Sequence, residues 1–282
     1  MQGYYSEHIT KQTHTMDLQL QGKRALVTGG SRGIGKAVAS ALAAEGADVA
    51  LLARDPQRLA AASAEIAATT GRRVVGVSAD TGDDAAVRRA VAEAEAALGG
   101  GIDILVNAAA EPAGYAPPPK LAEITGEFFH QQLDIKVMGY VRTAQAVAAG
   151  MKARGWGRIV NISGLAARQS GNAVGSIRNV GVAALSKNLA DELGPHDINV
   201  NVVHPGVTET ERTADLLAHN AQRRGVDASV VRAEMDAGNS TGRLVTAAEV
   251  ADVVVFLASP RSRGINGDAI AVGGGAPKAI HY

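Results

Sequence analysis

The sequence predicts an α/β protein whose seven strands form a mainly parallel, doubly wound sheet with helices on both faces. Three observations predict it. Short apolar runs alternate with Ala-rich amphipathic stretches in a β-α-β rhythm. The runs are continuous rather than alternating, as in strands covered on both faces. The first run passes through a glycine-rich turn directly into a helical stretch.

In chain order, strands are expected at 24–28, 49–53, 74–78, 104–107, 158–162, 199–204 and 269–272. Helices are expected near 33–45, 55–70, 83–98, 125–153, 176–193 and 247–258, and right-handed crossovers between parallel strands wind the sheet both ways. The segment at about 207–245 is polar, charged and without clear periodicity. It follows the sixth strand at the carboxyl edge, where ligands bind, and is read as a lid over the substrate. No repeat, heptad seam or second domain is visible, so residues 16–282 are read as one domain. The first 15 residues are polar, contain an acid and lack an apolar core, which excludes a signal peptide. They are read as a disordered or tag-like extension without a role.

Composition narrows the function classes. Lys plus Arg number 28 and Asp plus Glu number 28, so no net charge draws the chain to nucleic acid or an anionic membrane surface. No run approaches the roughly 20 apolar residues of a membrane span. There is no cysteine, which excludes disulfides and thiol chemistry and fits a cytoplasmic protein. No metal site is expected.

The strand Ala25-Leu26-Val27 runs into Thr28-Gly29-Gly30-Ser31-Arg32-Gly33-Ile34-Gly35. Glycines at 29, 33 and 35 allow a tight turn, close approach of a pyrophosphate and close packing of helix on strand. Free N–H groups at the helix start, aided by the helix dipole, favour a phosphate. A glycine-rich loop alone is a weak signal and is often a flexible turn. Here it lies between a strand and a helix, with a second strand ending about 19 residues later, and it is read as a nucleotide site.

The spacing TGxxxGxG resembles that of the short-chain dehydrogenase/reductase family, and the resemblance continues along about residues 18–275. Asp80 resembles the family's adenine-contacting acid, with Thr81 beside it. Leu105-Val106-Asn107-Ala108-Ala109-Ala110 resembles the LVNNAG stretch, with Ala at its second Asn and at its Gly. Ile159-Val160-Asn161-Ile162-Ser163 resembles the IVNISS strand, Asn199 to Gly206 the VNxVxPG strand, and Gly264-Ile265-Asn266-Gly267 the ITG near the C-terminus. The resemblance implies a Rossmann-type fold and a nicotinamide cofactor held by Gly29, Ser31, Arg32, Gly33, Ile34, Gly35, Asp80, Thr81, Asn107, Ala108, Ala109, Pro205, Gly206, Val207 and Thr208. An acid ending the second strand would bind the ribose 2′-hydroxyl of NAD. Ala53 stands there, followed by Arg54, and Arg32 lies in the turn. Two guanidinium forks suit a dianionic 2′-phosphate, so NADP(H) is favoured over NAD(H).

The family's chemistry, by the same resemblance, uses a tyrosine as proton donor, a lysine four residues later, a serine on the preceding strand and an asparagine in the long earlier helix. Leu185 to Gly194 resembles the family's LtkxLAxELG run. Counting back from it puts the tyrosine position at Gly175 and the lysine position at Asn179. The serine position falls at Gly164, one beyond Ser163, and the asparagine position at Lys136. No tyrosine occurs between 141 and 281 to restore another register. The candidates for a rebuilt site are therefore Lys136, Ser163, Ser176, Arg178 and Asn179, with His204 a weaker one. A lysine desolvated beside the nicotinamide could act as the acid itself. The expected function is an NADP(H)-dependent oxidoreductase with a non-standard site acting on a small molecule that the sequence does not name. The alternative is a non-catalytic NADP(H)-binding sensor, scaffold or partner subunit. Tyr115, in the Pro-rich 111–120 loop, is a candidate for the pocket mouth. Resemblance also implies a homodimer or homotetramer, paired through the helices near 125–153 and 176–193.

Overall fold

The computed structural model describes residues 16–111 and 114–277, so the stretch 1–15 lies outside the described residues. Alternate residues of each inner strand face opposite sides, which divides the core in two. On β1 (Arg24–Thr28), Val27 joins one cluster and Leu26 the other. The following elements are α1 (Gly33–Ala44), β2 (Asp48–Ala53), α2 (Pro56–Thr70), β3 (Val74–Ser78), α3 (Asp84–Leu98) and β4 (Ile104–Asn107). Then come α4 (Gly126–Leu133), a π-helical turn (Asp134–Met138), α5 (Gly139–Arg154), β5 (Gly157–Ile162), α6 (Ala173–Leu193) and β6 (Ile198–Pro205). The chain continues through β7 (Thr208–Glu209), α7 (Thr213–Arg224), α8 (Ala228–Ala237), β8 (Val245–Thr246), α9 (Ala247–Ala258) and β9 (Ala269–Val272).

Seven strands form one parallel sheet in the order β3-β2-β1-β4-β5-β6-β9. This is the expected α/β Rossmann-type fold. Side chains of α1, α2 and α9 pack on one face, and those of α3, α5 and α6 on the other. The order in which strands are added reverses between β1 and β4, and the crevice at that switch point opens at the carboxyl ends of the strands. None of the described helices is long and apolar enough to cross a membrane.

Three local differences from the sequence expectation bear on the site. The 125–153 helix is interrupted by the π turn, an insertion that re-aims side chains within a helix. Helix α6 begins at Ala173 rather than near 176, because the Asn172 side chain accepts from Gly175 N at 2.9 Å and caps it. The segment 207–245 contains two helices and a short parallel ladder, β7 with β8. Its periodicity is faint because α7 buries only Thr213, Asn220 and Ala221, and α8 only Val231.

Candidate active site

A cavity of about 1030 Å³ runs along the carboxyl ends of the strands. Its cofactor end is built on the β1–α1 turn. Gly29 holds φ +66°, and a Cβ there would stand 2.8 Å from Ala108 O; one at Gly35 would run into Gly29 O. The turn is thus closed against both β4 and α1, with bare backbone facing the cavity. The N-cap of α1 is Arg32, in extended conformation with no side-chain cap bond. Its open N–H groups need an acceptor, and Gly33 N donates to Glu211 Oε1 at 2.9 Å. A carboxylate from the 207–245 segment therefore stands where a phosphate is favoured.

Arg32, Arg54 and Arg58 line this end, and Arg212 lines the cavity nearby. Partial burial, then the charges of Arg212, Arg58 and Arg54, pull the Arg32 pKa below its ordinary value, with only Glu211 opposing. Arg54 pairs with Glu111 at 3.1 Å, and Arg58 with Asp55 at 3.1 Å. Asp80 Oδ1 accepts from Gly82 N at 2.9 Å, and the Thr81 hydroxyl donates to Ile135 O at 3.4 Å. Bare glycine backbone, an uncapped helix start and converging guanidinium groups fit a polyanionic nucleotide.

The inner end is assembled from the π turn, the loop after β5 and the first turns of α6. Lys136 is 5% exposed although it is a lysine. Its Nζ donates to Ser163 O at 2.9 Å and to Asn179 Oδ1 at 3.1 Å. Burial, then the nearby Arg178 charge, pushes the Lys136 ammonium down to about 7. The Ser163 hydroxyl donates to Asn179 O at 2.9 Å. Arg178 Nη1 donates to Gln132 Oε1, while its buried Nε has no partner. A Cβ at Gly164 would approach Asn179 Nδ2 to 3.2 Å, and one at Gly175 would displace the capping Asn172 amide. Tyr115, Leu216 and Met235 line the outer wall, with Arg212 stacked 4.9 Å from the Tyr115 ring centre.

Of the expected catalytic residues, Lys136, Ser163, Arg178 and Asn179 line the cavity together, while Ser176 does not. Its hydroxyl donates to Gln169 O at 2.8 Å, turned away by its place in the first turn of α6. His204 is buried behind the site with Nδ1 accepting from Gly164 N at 3.4 Å. Burial, then Arg168 and Lys136, pushes it down to about 4, so it is neutral near pH 7. Tyr140 cannot serve either: its hydroxyl donates to Ile162 O at 2.9 Å, and burial pushes its pKa up.

Of the expected cofactor contacts, Gly29, Ser31, Arg32, Gly33, Ile34, Gly35, Arg54, Asp80, Thr81, Ala108, Ala109, Pro205, Gly206, Val207 and Thr208 line the cavity. Asn107 is the correction. It is fully buried, donates to Asn161 Oδ1 at 2.9 Å and accepts from the Thr143 hydroxyl at 2.7 Å, so it ties β4 to β5 and α5. Sequence reasoning also missed Arg58, Arg212 and Glu211. Arg58, one turn into α2, carried a signal in its spacing from Arg54; the other two come from the 207–245 segment and carried none.

The comparisons with known proteins agree with this geometry. Residues 29–277 match the family model described as enoyl-(acyl carrier protein) reductase. The chain is 37% identical over 254 residues to the short-chain reductase protein NovJ of Streptomyces niveus, covering 90% of this chain and 93% of that one. It belongs to the short-chain dehydrogenase/reductase family of NAD(P)-dependent oxidoreductases. It is also 34% identical to the 3-oxoacyl-[acyl-carrier-protein] reductase FabG of Aquifex aeolicus, covering 92% of this chain and 99% of that one. Among solved structures, L-sorbose reductase from Gluconobacter frateurii, complexed with NADPH and L-sorbose, superposes with a TM-score of 0.88. That pair is 30% identical and covers 94% of this chain and 100% of the reductase.

Proposed function

We propose that this short-chain dehydrogenase/reductase is an NADP(H)-dependent oxidoreductase of carbonyl and alcohol groups whose proton-transfer group is the buried amine of Lys136. The observation that carries this reading is the 3.1 Å contact of Lys136 Nζ with Asn179 Oδ1. Relative to the family pattern, an amine stands at the asparagine position and an amide at the lysine position, and the two side chains meet. Gly175 and Gly164 stand at the tyrosine and serine positions.

The chemistry follows from counting protons. An ammonium has three donors and no acceptor. Ser163 O and Asn179 Oδ1 accept two of them, so the third is left for a substrate oxygen in the cavity. After giving up that proton, the amine keeps both fixed bonds and turns its lone pair to the same place. A group near pKa 7 serves both directions near neutral pH. Bound NADP(H) supplies or accepts the hydride at its nicotinamide ring. Arg178, beside Lys136, helps keep that amine's pKa low.

For the cofactor, the Arg32, Arg58 and Arg212 guanidinium groups support NADP(H), with Arg54 free to leave Glu111 for the 2′-phosphate. The α7–α8 segment acts as the lid over a single domain spanning 16–282. Exposed Met138, Ile177 and Val180 on the π turn and α6 support a homodimer or homotetramer built on that face. A second reading is cofactor binding without turnover. It is favoured by the missing hydroxyls at 164 and 175 and by the commitment of the Ser163 hydroxyl to Asn179 O. The test is to incubate the protein with NADPH and a panel of aldehydes, ketones and oxo acids and follow the reduced-cofactor absorbance. Substrate-dependent decay that Lys136→Ala abolishes supports the oxidoreductase; tight NADPH binding with no decay on any carbonyl supports the second reading.

A further inference from the structure

We infer that the inner end of the cavity is an oxyanion-binding site, and that the substrate carries a free carboxylate as well as its carbonyl. This rests on the oxidoreductase reading above and names its substrate class.

Among the described residues, most partnered cations outside this end are matched by carboxylates. Arg24 pairs with Asp103, Arg72 with Asp48, and Arg232 with both Glu209 and Asp236. Arg158 is an exception, held by backbone carbonyls away from the cavity; Lys136 and Arg178 are exceptions that line it. Among the described residues, Lys136 bonds only to a backbone carbonyl and an amide, and Arg178 only to the Gln132 amide. Neither has an ion pair, and the Arg178 Nε is buried without any acceptor. Arg178 is also the charge that, after burial, lowers the Lys136 pKa. Desolvating a cation without a counter-ion is costly. That cost is recovered when an anion enters.

The planar guanidinium offers paired donors that match a carboxylate. The cofactor phosphates do not fill this role, because the β1–α1 turn and Arg32, Arg54 and Arg58 serve them at the other end of the cavity. Position fixes the class further. Arg178 lines the same cavity as Lys136, whose Nζ addresses the carbonyl oxygen. A single molecule that meets both groups carries a carboxylate as well as a carbonyl, as in an oxo acid and the corresponding hydroxy acid.

The experiment reads binding rather than turnover. The protein loaded with NADP+ is titrated calorimetrically with pyruvate, 2-oxobutanoate, 2-oxopentanoate and 3-oxobutanoate, each beside its own methyl ester. At least one acid should bind about tenfold or more tighter than its ester, the factor expected for one charge-assisted bond. Arg178→Gln should bring that acid and its ester within about twofold, with NADP+ affinity unchanged. Arg178→Lys, which keeps the charge without the fork, should retain part of the preference and covers the case in which Arg178→Gln fails to fold. Acids binding no better than their esters, or a preference that survives Arg178→Gln, overturn the proposal. An acid preference without any NADPH consumption would sink the oxidoreductase reading and leave the anion site standing. Reduction of neutral ketones with no acid preference would do the reverse.

Discussion

Replacing Lys136 by Met removes the amine and keeps most of the volume, so its consequence is electrostatic. The ordinary lysine pKa of 10.5 falls to about 7 in the folded chain. Above pH 7 the folded protein has lost a proton that the unfolded chain still holds. Stability therefore rises with pH from about 7 until the unfolded pKa is reached, and is flat below, where both states are protonated. Integrating the proton difference from about pH 7 to about pH 9 gives about 2 kcal/mol from this one group. Lys136→Met should lack that rise. Its absolute stability is a poor readout, because Ser163 O and Asn179 Oδ1 lose their donor at a cost of about 1–3 kcal/mol each. The slope is the clean one, measured as urea unfolding free energies of both proteins from about pH 6 to about pH 9. In the same variant NADPH consumption should fall by about 10²–10⁴, the usual worth of a positioned proton donor. In the wild type, reduction needs the ammonium and should decline above about pH 7, whereas oxidation needs the free amine and should rise through the same value. Parallel stability curves for the two proteins, or turnover that survives Lys136→Met, would refute the argument.

Other perturbations test other parts of the site. Glu211→Gln removes the carboxylate that competes for the start of α1, so NADPH should bind about two- to fivefold tighter by calorimetry; an unchanged or weaker affinity would mean that Glu211 is no competitor. Arg32→Ser and Arg58→Ser should each weaken NADPH binding by about tenfold while leaving NADH nearly unaffected, and equal losses for both cofactors would remove the 2′-phosphate from the account. Ile177→Glu puts a charge on the exposed face shared by α6 and the π turn. Light scattering should then show a mass reduced to that of a smaller assembly, and an unchanged mass would place the subunit contact elsewhere.

The sheet was legible because its strands are buried on both faces. A run such as Ile104–Asn107, with every residue buried, leaves no polar alternation to confuse. Errors at strand ends stayed within a residue. Helices α7 and α8 were not legible, since a helix that buries only Val231 writes almost no period into its sequence. The π turn was hidden for a different reason: it alters which face Lys136 takes without altering the helical composition around it. A lysine in an amphipathic stretch reads as solvated, and only the packed structure shows it enclosed. Asn107 entered the cofactor contacts with the stretch resembling LVNNAG, and a motif does not tell which of its side chains turns into the core. Its actual partners, Asn161 and Thr143, are 54 and 36 residues away in sequence. Glu211 lies 178 residues from Gly33, and no local pattern can announce such a pairing.

The altered positions of the inner site make sense only together. Asn179 is too short to project an amine into the cavity, but its amide oxygen reaches the amine that Lys136 brings from the opposite wall. That amide lies against Gly164, where a Cβ would come to 3.2 Å of Nδ2. A serine at 164 would press on the group that orients Lys136. Gly175 in turn lets the Asn172 amide close over the first turn of α6, where a Cβ at 175 would stand 2.6 Å from Asn172 Nδ2. A tyrosine restored at 175 would thus break the helix cap. It would also meet an amide at 179 instead of the ammonium that lowers a phenol's pKa. On the proposed reading, restoring single residues of the family pattern should fail to restore its chemistry, because each glycine is coupled to an asparagine, and one of those asparagines to Lys136 Nζ. The unit that must be exchanged is the set Lys136, Gly164, Gly175 and Asn179.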